Sequence, residues 1–309
     1  MTDDDAVAPD LFPGFEALWI DGPAGRWFAR AGGPPDAPPL LLLHGFPQTH
    51  AMWHRLAPAL AAEHRVICLD VKGNGWSGAP DGGPGHAAYT KRTLGREIVA
   101  LMERIGHARF ALAGHDRGAR IAYRLALDEP GRVERLALLD IVPTLVQWER
   151  IAGTPGANPH WPFLAGAAPG PEQEIGRDPD AYFEGLLRTW SATGDLAPFA
   201  PAALARYRES WRVPERIHAM CEDYRAGGPD GPDRAADIAD LAAGRTLDMP
   251  VLVLSSRAYL DRDKPETALA VWRRSFAPHA QGAQIESGHF LAEENPEATL
   301  PALQAFLRA

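Results

Sequence analysis

The sequence predicts an α/β fold, in which a mostly parallel, twisted sheet is flanked by helices and carries an inserted helical domain. Three observations predict it. Short apolar runs that end at Gly, Asp or Pro alternate with amphipathic helical segments in the first half of the chain. About a hundred residues with helical patterning and no convincing strand follow. The alternation of strand and helix then resumes near residue 250 and continues to the end.

The strand and helix predictions follow the chain in order. Short alternating runs around Trp19 and Trp27 predict edge strands. Continuously apolar runs are typical of parallel strands covered on both faces, and they occur at Pro39–Leu43, Val66–Asp70, Phe110–Gly114 and Leu136–Ile141. Apolar residues at helical spacing predict helices at Leu94–Ile105 and Gly118–Leu127. Later predictions are strands at Pro250–Ser256 and Gln284–Glu286 and helices near Thr267–Ser275 and Pro296–Leu307.

The break after Pro143 sets the predicted domain organisation. Residues 1–143 and 245–309 form the core domain, and residues 144–244 form a helical cap domain. The acidic start, residues 1 to about 10, is predicted to be a disordered tail and has no signal-peptide pattern.

Composition and charge exclude several classes of function. The 309 residues include 31 Lys and Arg against 40 Asp and Glu, a formal net charge of −9, which disfavours nucleic-acid and anionic-membrane partners. No apolar run approaches the ~20 residues of a membrane span, so a cytoplasmic protein is expected. The two cysteines, Cys68 and Cys221, are too few for a disulfide framework or a cysteine-only metal site. Neither a metal nor an organic cofactor is expected.

A turn with the pattern Gly-His-Asp-Arg-Gly follows the predicted strand Phe110–Gly114 and precedes a helix. This is the strand–turn–helix arrangement of a nucleophile elbow, with Asp116 where Ser is more common. The helix N-terminus should keep the Asp116 carboxylate ionised. The alternative without a catalytic role is an aspartate that only caps the helix.

Two further segments complete a catalytic pattern. The strand Pro39–Leu43 runs into His-Gly-Phe-Pro, a turn that can form an oxyanion hole from the backbone N–H groups of Phe46 and Arg117. His289 lies in a Gly-containing loop near the C-terminus, and the chain order of nucleophile, acid and histidine fits.

The acid has two candidate positions. Asp140 ends the strand Leu136–Leu139, directly before Ile141, and is the preferred partner of His289, because a carboxylate there would fix the tautomer of the imidazole. Asp261 and Asp263 follow the strand Pro250–Ser256 and are the alternative, although their charged surroundings suggest a solvated loop.

The chain resembles the fluoroacetate (haloacetate) dehalogenases, which have the α/β-hydrolase fold. The matching segments span nearly the whole chain, and their combination is more specific than any one of them. They are Asp10–Phe15, Leu41–His50, Gly114–Arg120, Tyr123–Asp128, Cys221–Gly227 and Glu286–Phe290.

The resemblance implies a reaction and a set of roles. Asp116 would displace the halide of a haloacetate to form an aspartyl ester, and His289 with Asp140 would activate water to hydrolyse it. Arg117 and Arg120, three residues apart on one helix face, would clamp the substrate carboxylate; a surface ion pair with Asp128 or Glu129 is the bland alternative. The implied halide pocket is His160, Trp161 and Tyr224, and Trp190 is a pocket-lining position. The resemblance also implies a homodimer.

Other activities remain open at this point. An epoxide hydrolase would share the aspartate, the acid and the histidine, and Tyr182, Tyr207 or Tyr224 could serve it, but such enzymes usually carry Trp where Arg117 stands. The same argument disfavours a haloalkane dehalogenase, and the absence of Ser from the elbow disfavours an esterase. A non-catalytic ligand-binding relative would commonly have lost a member of the triad. Segments 153–157, 165–169 and 255–263 depart from the family pattern.

Overall fold

A computed structural model describes residues 10–23, 25–154 and 156–308 of the chain, so the predicted disordered tail lies almost entirely outside the described residues. Eight strands form one sheet in the order β1-β2-β4-β3-β5-β6-β7-β8. Their bounds are β1 Glu16–Gly22, β2 Gly25–Gly32, β3 Pro39–Leu43, β4 Arg65–Leu69, β5 Phe110–His115, β6 Val133–Leu139, β7 Val251–Ser256 and β8 Gln281–Ile285.

The six strands from β4 to β8 are mutually parallel, as predicted. β1 pairs antiparallel with β2, and β2 pairs antiparallel with β4. The prediction that both N-terminal strands are edge strands is therefore wrong for β2, which lies inside the sheet with Trp27 buried. β8 ends at Ile285, one residue after the predicted strand begins, because four of its five residues are exposed and give no apolar signal.

Thirteen α-helices accompany these strands in the described residues, with 3-10 turns at His50–Trp53 and Pro84–Tyr89. In chain order they are α1 Ala57–Leu60, α2 Lys91–Arg104, α3 Asp116–Asp128, α4 Thr144–Gly153, α5 His160–Leu164, α6 Gly170–Arg177, α7 Pro179–Trp190, α8 Pro201–Trp211, α9 Pro214–Ala226, α10 Pro232–Ala242, α11 Ala268–Arg274, α12 Leu291–Glu294 and α13 Pro296–Arg308. None of the helices in the described part of the chain has the length and apolarity needed to cross a membrane.

The sheet separates two apolar cores. Along β3, Leu40 and Leu42 face one core and Leu41 and Leu43 face the other, all four fully buried, as the two-residue period of a strand requires. Helices α4 to α10 follow β6 and precede β7, and the described residues of this insertion contain no strand. Aromatic residues of the insertion share one core with Phe46 and Phe290 of the sheet region, so the insertion packs over the carboxyl ends of the parallel strands.

Candidate active site

The turn between β5 and α3 presents Asp116 in a strained conformation. Its φ is +43°, in the left-handed region that a non-glycine residue rarely adopts. Two close approaches hold the turn: a Cβ on Gly118 would lie 2.3 Å from the carbonyl oxygen of His44, and one on Gly45 would lie 2.5 Å from Cβ of Asp116. The glycines thus let the loop after β3 pack directly against the elbow.

The two carboxylate oxygens of Asp116 have different surroundings. Oδ1 accepts a hydrogen bond from the backbone N–H of Phe46 at 3.0 Å, so this half of the predicted oxyanion hole faces the predicted nucleophile. Oδ2 lies 3.8 Å from Nε2 of His289. Burial alone would raise the pKa of Asp116, but His289, His115 and the two nearby arginines lower it to about 2. The carboxylate is therefore ionised at neutral pH.

Asp140 and His289 form a buried pair at the ends of two strands. Oδ2 of Asp140 is 2.7 Å from Nδ1 of His289, and Oδ1 accepts the Ser256 backbone N–H at 2.6 Å. Burial would lower the pKa of His289, but the hydrogen bond and charge of Asp140 raise it. The pairing leaves Nε2 of His289 facing Asp116.

The alternative acids lie elsewhere. Asp261 accepts hydrogen bonds from Ser255, Gln284 and the backbone N–H of Ala268, so both of its oxygens are bonded to the strands and the helix around its loop. Asp263 is 93% exposed and lies beside Arg262. Neither contacts His289 in the described structure.

The loop that carries His289 is fixed from two sides. The His289 N–H donates to the carbonyl oxygen of Trp190, at the end of α7, over 2.8 Å, and its own carbonyl oxygen lies 2.8 Å from Nε2 of His115. The preceding Gly288 has no space for a side chain, because a Cβ there would lie 2.4 Å from the Trp190 oxygen. The helical insertion therefore takes part in orienting the histidine.

The two arginines of α3 are buried but do not occupy equivalent places. Arg120 donates to the Val142 carbonyl at 3.1 Å and to Oγ1 of Thr144 at 3.2 Å, and its Nε is buried without a partner among the described residues. Arg117 forms an ion pair with Asp223 of α9 and leaves Nη1 buried without a described partner.

The purely structural alternative for these arginines is an ion pair with Asp128 or Glu129. The structure does not contain it among the described residues. Asp128 pairs with Arg92 and Arg124 instead.

The predicted halide-pocket residues lie together. Ring centroids are 6.0 Å apart for His160 and Tyr224, 5.5 Å for Trp161 and Tyr224, and 4.4 Å for His160 and Trp190. The Arg117 guanidinium lies 4.1 Å from the Tyr224 ring centroid. Burial lowers the pKa of His160 to about 3, and burial followed by the Asp116 charge raises that of Tyr224 well above its usual value. His160 and Tyr224 are therefore neutral, and they offer an imidazole N–H and a phenol O–H as hydrogen-bond donors.

A cavity of about 100 Å³ lies beside these groups. The predicted site residues in its lining are Asp116, Arg120, Asp140, His160, Trp161, Trp190 and His289. Three other predicted residues, Arg117, Phe46 and Tyr224, are not in this lining. Arg117 and Phe46 line a neighbouring crevice of about 20 Å³.

Seven lining residues were not predicted as site residues from the sequence: Gln147, Arg150, Ala157, Asn158, Tyr259, Leu260 and Lys264. The Tyr259 ring lies 4.8 Å from the His289 ring, and burial, Asp140 and Asp116 raise the pKa of its phenol. Gln147 and Arg150 belong to α4, and Tyr259 and Lys264 to the loop after β7. The sequence offered one indication of this loop, because its residues 255–263 depart from the family pattern.

No group of three or more His, Cys, Asp or Glu side chains in the described ranges is arranged to hold a metal ion.

Comparison with known proteins gives the class first. Residues 38–296 match the α/β hydrolase fold family. With the parallel sheet, the elbow and the histidine–aspartate pair, this defines the protein as an α/β hydrolase, as predicted.

Sequence identity to individual relatives identifies the family within the α/β hydrolases. A fluoroacetate dehalogenase from Burkholderia sp. is 43% identical over 298 residues, covering 96% of this chain and 95% of the relative. The soluble epoxide hydrolase of Corynebacterium sp. strain C12 is 28% identical, over 87% of this chain and 89% of its own. A solved structure of a candidate epoxide hydrolase from Pseudomonas aeruginosa is 41% identical with a TM-score of 0.87, covering 97% of each chain. The chain belongs to the fluoroacetate dehalogenase family of α/β hydrolases, which confirms the resemblance found in the sequence, and it is an enzyme.

Proposed function

We propose that the protein hydrolyses haloacetates, converting fluoroacetate and water to glycolate, fluoride and a proton through an aspartyl ester. One observation carries the proposal: Arg120, only 2% exposed, lines the same small cavity as Asp116 and His289. None of the described carboxylates lies within 4.0 Å of its guanidinium. A buried cation is stable only with compensating charge, and a substrate carboxylate provides it. The dehalogenase relative supports the same substrate class.

The first step is an in-line displacement on the α-carbon. Oδ1 of Asp116 is held by the Phe46 N–H, so Oδ2 is the oxygen with a free lone pair toward the cavity. Oδ2 forms a bond to the α-carbon as the carbon–halogen bond breaks, and the halide leaves with the electron pair. Arg120, with Nη1 of Arg117, holds the carboxylate of the substrate during this step.

The departing halide needs donors that do not compete as acids. His160, Trp161 and Tyr224 supply an imidazole N–H, an indole N–H and a phenol O–H, and none of the three side chains has a hydrogen-bond partner among the described residues. The Arg117 charge on the Tyr224 ring face strengthens that phenol as a donor. Such donors stabilise the negative charge that develops on fluoride.

The second step is hydrolysis of the ester. Nε2 of His289 accepts a proton from water, and the hydroxide adds to the Asp116 carbonyl carbon. The N–H groups of Phe46 and Arg117 stabilise the charge on Oδ1. Asp140 stabilises the imidazolium of His289. Collapse of the intermediate breaks the bond between Cγ and Oδ2, the leaving oxygen takes the proton from His289 to give glycolate, and the carboxyl group of Asp116 loses its proton to water.

A second candidate function is epoxide hydrolysis, which two of the relatives carry in their names. The observation that favours it is Tyr259, whose protonated phenol borders the cavity beside His289 and could donate to an epoxide oxygen. Tyr207 does not serve this role, because its hydroxyl is bonded to Glu293. Arg120 can bind a substrate carboxylate, a group that a neutral epoxide lacks, and this favours dehalogenation. A non-catalytic relative would turn over none of these substrates.

The covalent intermediate provides the direct test. The His289→Asn variant, incubated with fluoroacetate, should accumulate one carboxymethyl group on Asp116, detected by intact-protein and peptide mass spectrometry. Asp116→Asn should lose halide release and remain unmodified, whereas Asp263→Asn, which changes an exposed carboxylate, should behave as wild type. An unmodified His289→Asn protein beside an active wild-type enzyme would refute the ester mechanism.

The substrate class is tested in parallel. Wild-type enzyme is assayed for halide release from fluoroacetate and chloroacetate and for diol formation from an epoxide. Diol formation without halide release would overturn the proposal in favour of an epoxide hydrolase.

We further propose that the enzyme is a cytoplasmic homodimer that needs no cofactor, with residues 144–244 as its cap domain. The family resemblance supports the dimer, and the helices α4 to α10 support the cap. Analytical ultracentrifugation should give twice the chain mass, and a monomer at assay concentration would contradict it. Activity should survive exhaustive dialysis against a chelator.

A further inference from the structure

The cavity continues outward from Arg120 along α4. Thr144, which accepts a hydrogen bond from Arg120, stands at the start of this helix, and Gln147 and Arg150 follow at intervals of three residues. At 1.5 Å per residue, Arg150 lies roughly 9 Å further along the axis than Thr144. Gln147 and Arg150 both line the cavity, and Lys264 joins them from the loop after β7. Exposure increases in the same order: Arg120 and Gln147 are buried, Arg150 is half-buried and Lys264 is exposed.

The cations of this outer part have no carboxylate partner. Arg150 donates to the Glu266 carbonyl oxygen at 3.3 Å, and none of the described carboxylates lies within 4.0 Å of Arg150 or Lys264. The neighbouring acids have other partners: Glu266 pairs with Arg274, and Asp261 accepts hydrogen bonds from Ser255 and Gln284. Gln147, 6% exposed, has a carboxamide without a partner among the described residues. The outer part of the cavity thus presents two cations that no described carboxylate neutralises, in a chain whose formal net charge is −9.

The cavity also extends beyond the groups that a haloacetate would contact. Its lining continues from Asp116 and Arg120 to Arg150, roughly 9 Å further along α4 than Thr144, and to Lys264. A haloacetate has five non-hydrogen atoms, and an α-halosuccinate has nine. The outer part therefore has room and charge for one further carboxylate.

We infer that Gln147, Arg150 and Lys264 form a second anion subsite, which extends the substrates of this enzyme to short α-halo dicarboxylates. The inference rests on the proposed function and deepens it. Arg120 holds the carboxylate next to the halogenated carbon, and the outer subsite binds the distal one. The chemistry is unchanged: the carbon–halogen bond breaks, the carbon–oxygen bond to Asp116 forms, and water then yields the hydroxy dicarboxylate, a halide and a proton.

Matched charge variants test the subsite. Arg150→Gln and Lys264→Gln each remove one positive charge from the cavity, and Arg262→Gln removes one from an exposed neighbour outside the lining. For 2-chlorosuccinate, kcat/KM should fall about tenfold in each cavity variant, as expected for loss of a charged hydrogen bond. For chloroacetate it should change less than about twofold, because the small substrate does not reach the outer cations. Arg262→Gln should match wild type with both substrates.

Three results would overturn the subsite. The first is an equal loss of kcat/KM with both substrates in the cavity variants, which indicates a long-range field only. The others are an equal loss of kcat/KM in Arg262→Gln, and no turnover of 2-chlorosuccinate by an enzyme that dechlorinates chloroacetate. Binding of succinate and acetate, measured by calorimetry, separates this inference from the proposed reaction. Succinate should bind more tightly than acetate to wild type, and Arg150→Gln should abolish the difference whether or not the protein releases halide. Equal affinities for wild type would refute the subsite.

Discussion

Replacing Arg120 by Gln tests the feature on which the proposed substrate class depends. The substitution keeps a polar side chain near Thr144 and Val142 but removes the charge that faces the cavity. A hydrogen bond to a charged group contributes about 1.5–3 kcal/mol, which corresponds to a loss of about 10- to 150-fold in kcat/KM for chloroacetate. The upper part of this range applies here because the group is almost fully buried.

The assay for this variant is initial-rate chloride release over a range of chloroacetate concentrations, with thermal unfolding to check the fold. Arg124→Gln is the matched control, since Arg124 stands one turn further along α3, is equally buried and pairs with Asp128 and Asp240 outside the cavity. The control should lose stability but keep the KM for chloroacetate. An Arg120→Gln enzyme with unchanged kcat/KM would refute the assignment of this arginine to the substrate carboxylate.

Three further predictions concern Gly45, the pH dependence of the reaction and the buried Glu293. Gly45→Ala should abolish halide release in a folded protein, because the new Cβ would lie 2.5 Å from Cβ of Asp116; activity within tenfold of wild type would contradict it. In wild type, kcat should fall as pH decreases through the raised pKa of His289, since only the neutral imidazole accepts a proton. The pre-steady-state burst of halide should persist to pH about 4, because the pKa of Asp116 is about 2. A burst that is lost together with kcat would contradict the roles of these two residues. Glu293 is fully buried beside Tyr207, and burial raises its pKa well above 4.5. In chemical denaturation, the free energy of unfolding of Glu293→Gln should lie within about 1 kcal/mol of wild type at pH 5, and the variant should lack the loss of stability that wild type shows as pH rises above 4.5. Glu293→Ala should lower the free energy of unfolding by about 1–3 kcal/mol.

The parts of the site that follow strand ends were predictable from the sequence. Asp116, Asp140 and His289 each come directly or shortly after a parallel strand, and the carboxyl ends of parallel strands meet at one edge of a sheet. Strand β8 was misplaced because its exposed residues carry no apolar pattern, and the position of β2 inside the sheet depends on pairing with β4, which no local signal encodes.

The rest of the cavity depends on contacts between distant segments. Arg117 pairs with Asp223, 106 residues away, and its guanidinium lies over the ring of Tyr224, on the same helix as Asp223. Arg150 and Lys264 meet although 114 positions separate them in the chain. Residue type and local spacing indicate neither encounter, because both are decided by how the insertion packs over the sheet.

The backbone bond from His289 to Trp190 has a consequence for protein engineering. Segments that cover active sites are attractive modules to transplant between relatives when new substrates are sought. Here the graft junction includes a main-chain contact that orients His289, since the carbonyl of Trp190 and the missing side chain of Gly288 fit one another. A donor segment whose main chain departs by an ångström at residues 190–192 would misalign the imidazole even if every substrate contact were reproduced. Chimeras should therefore exchange side chains within this segment and retain its native path.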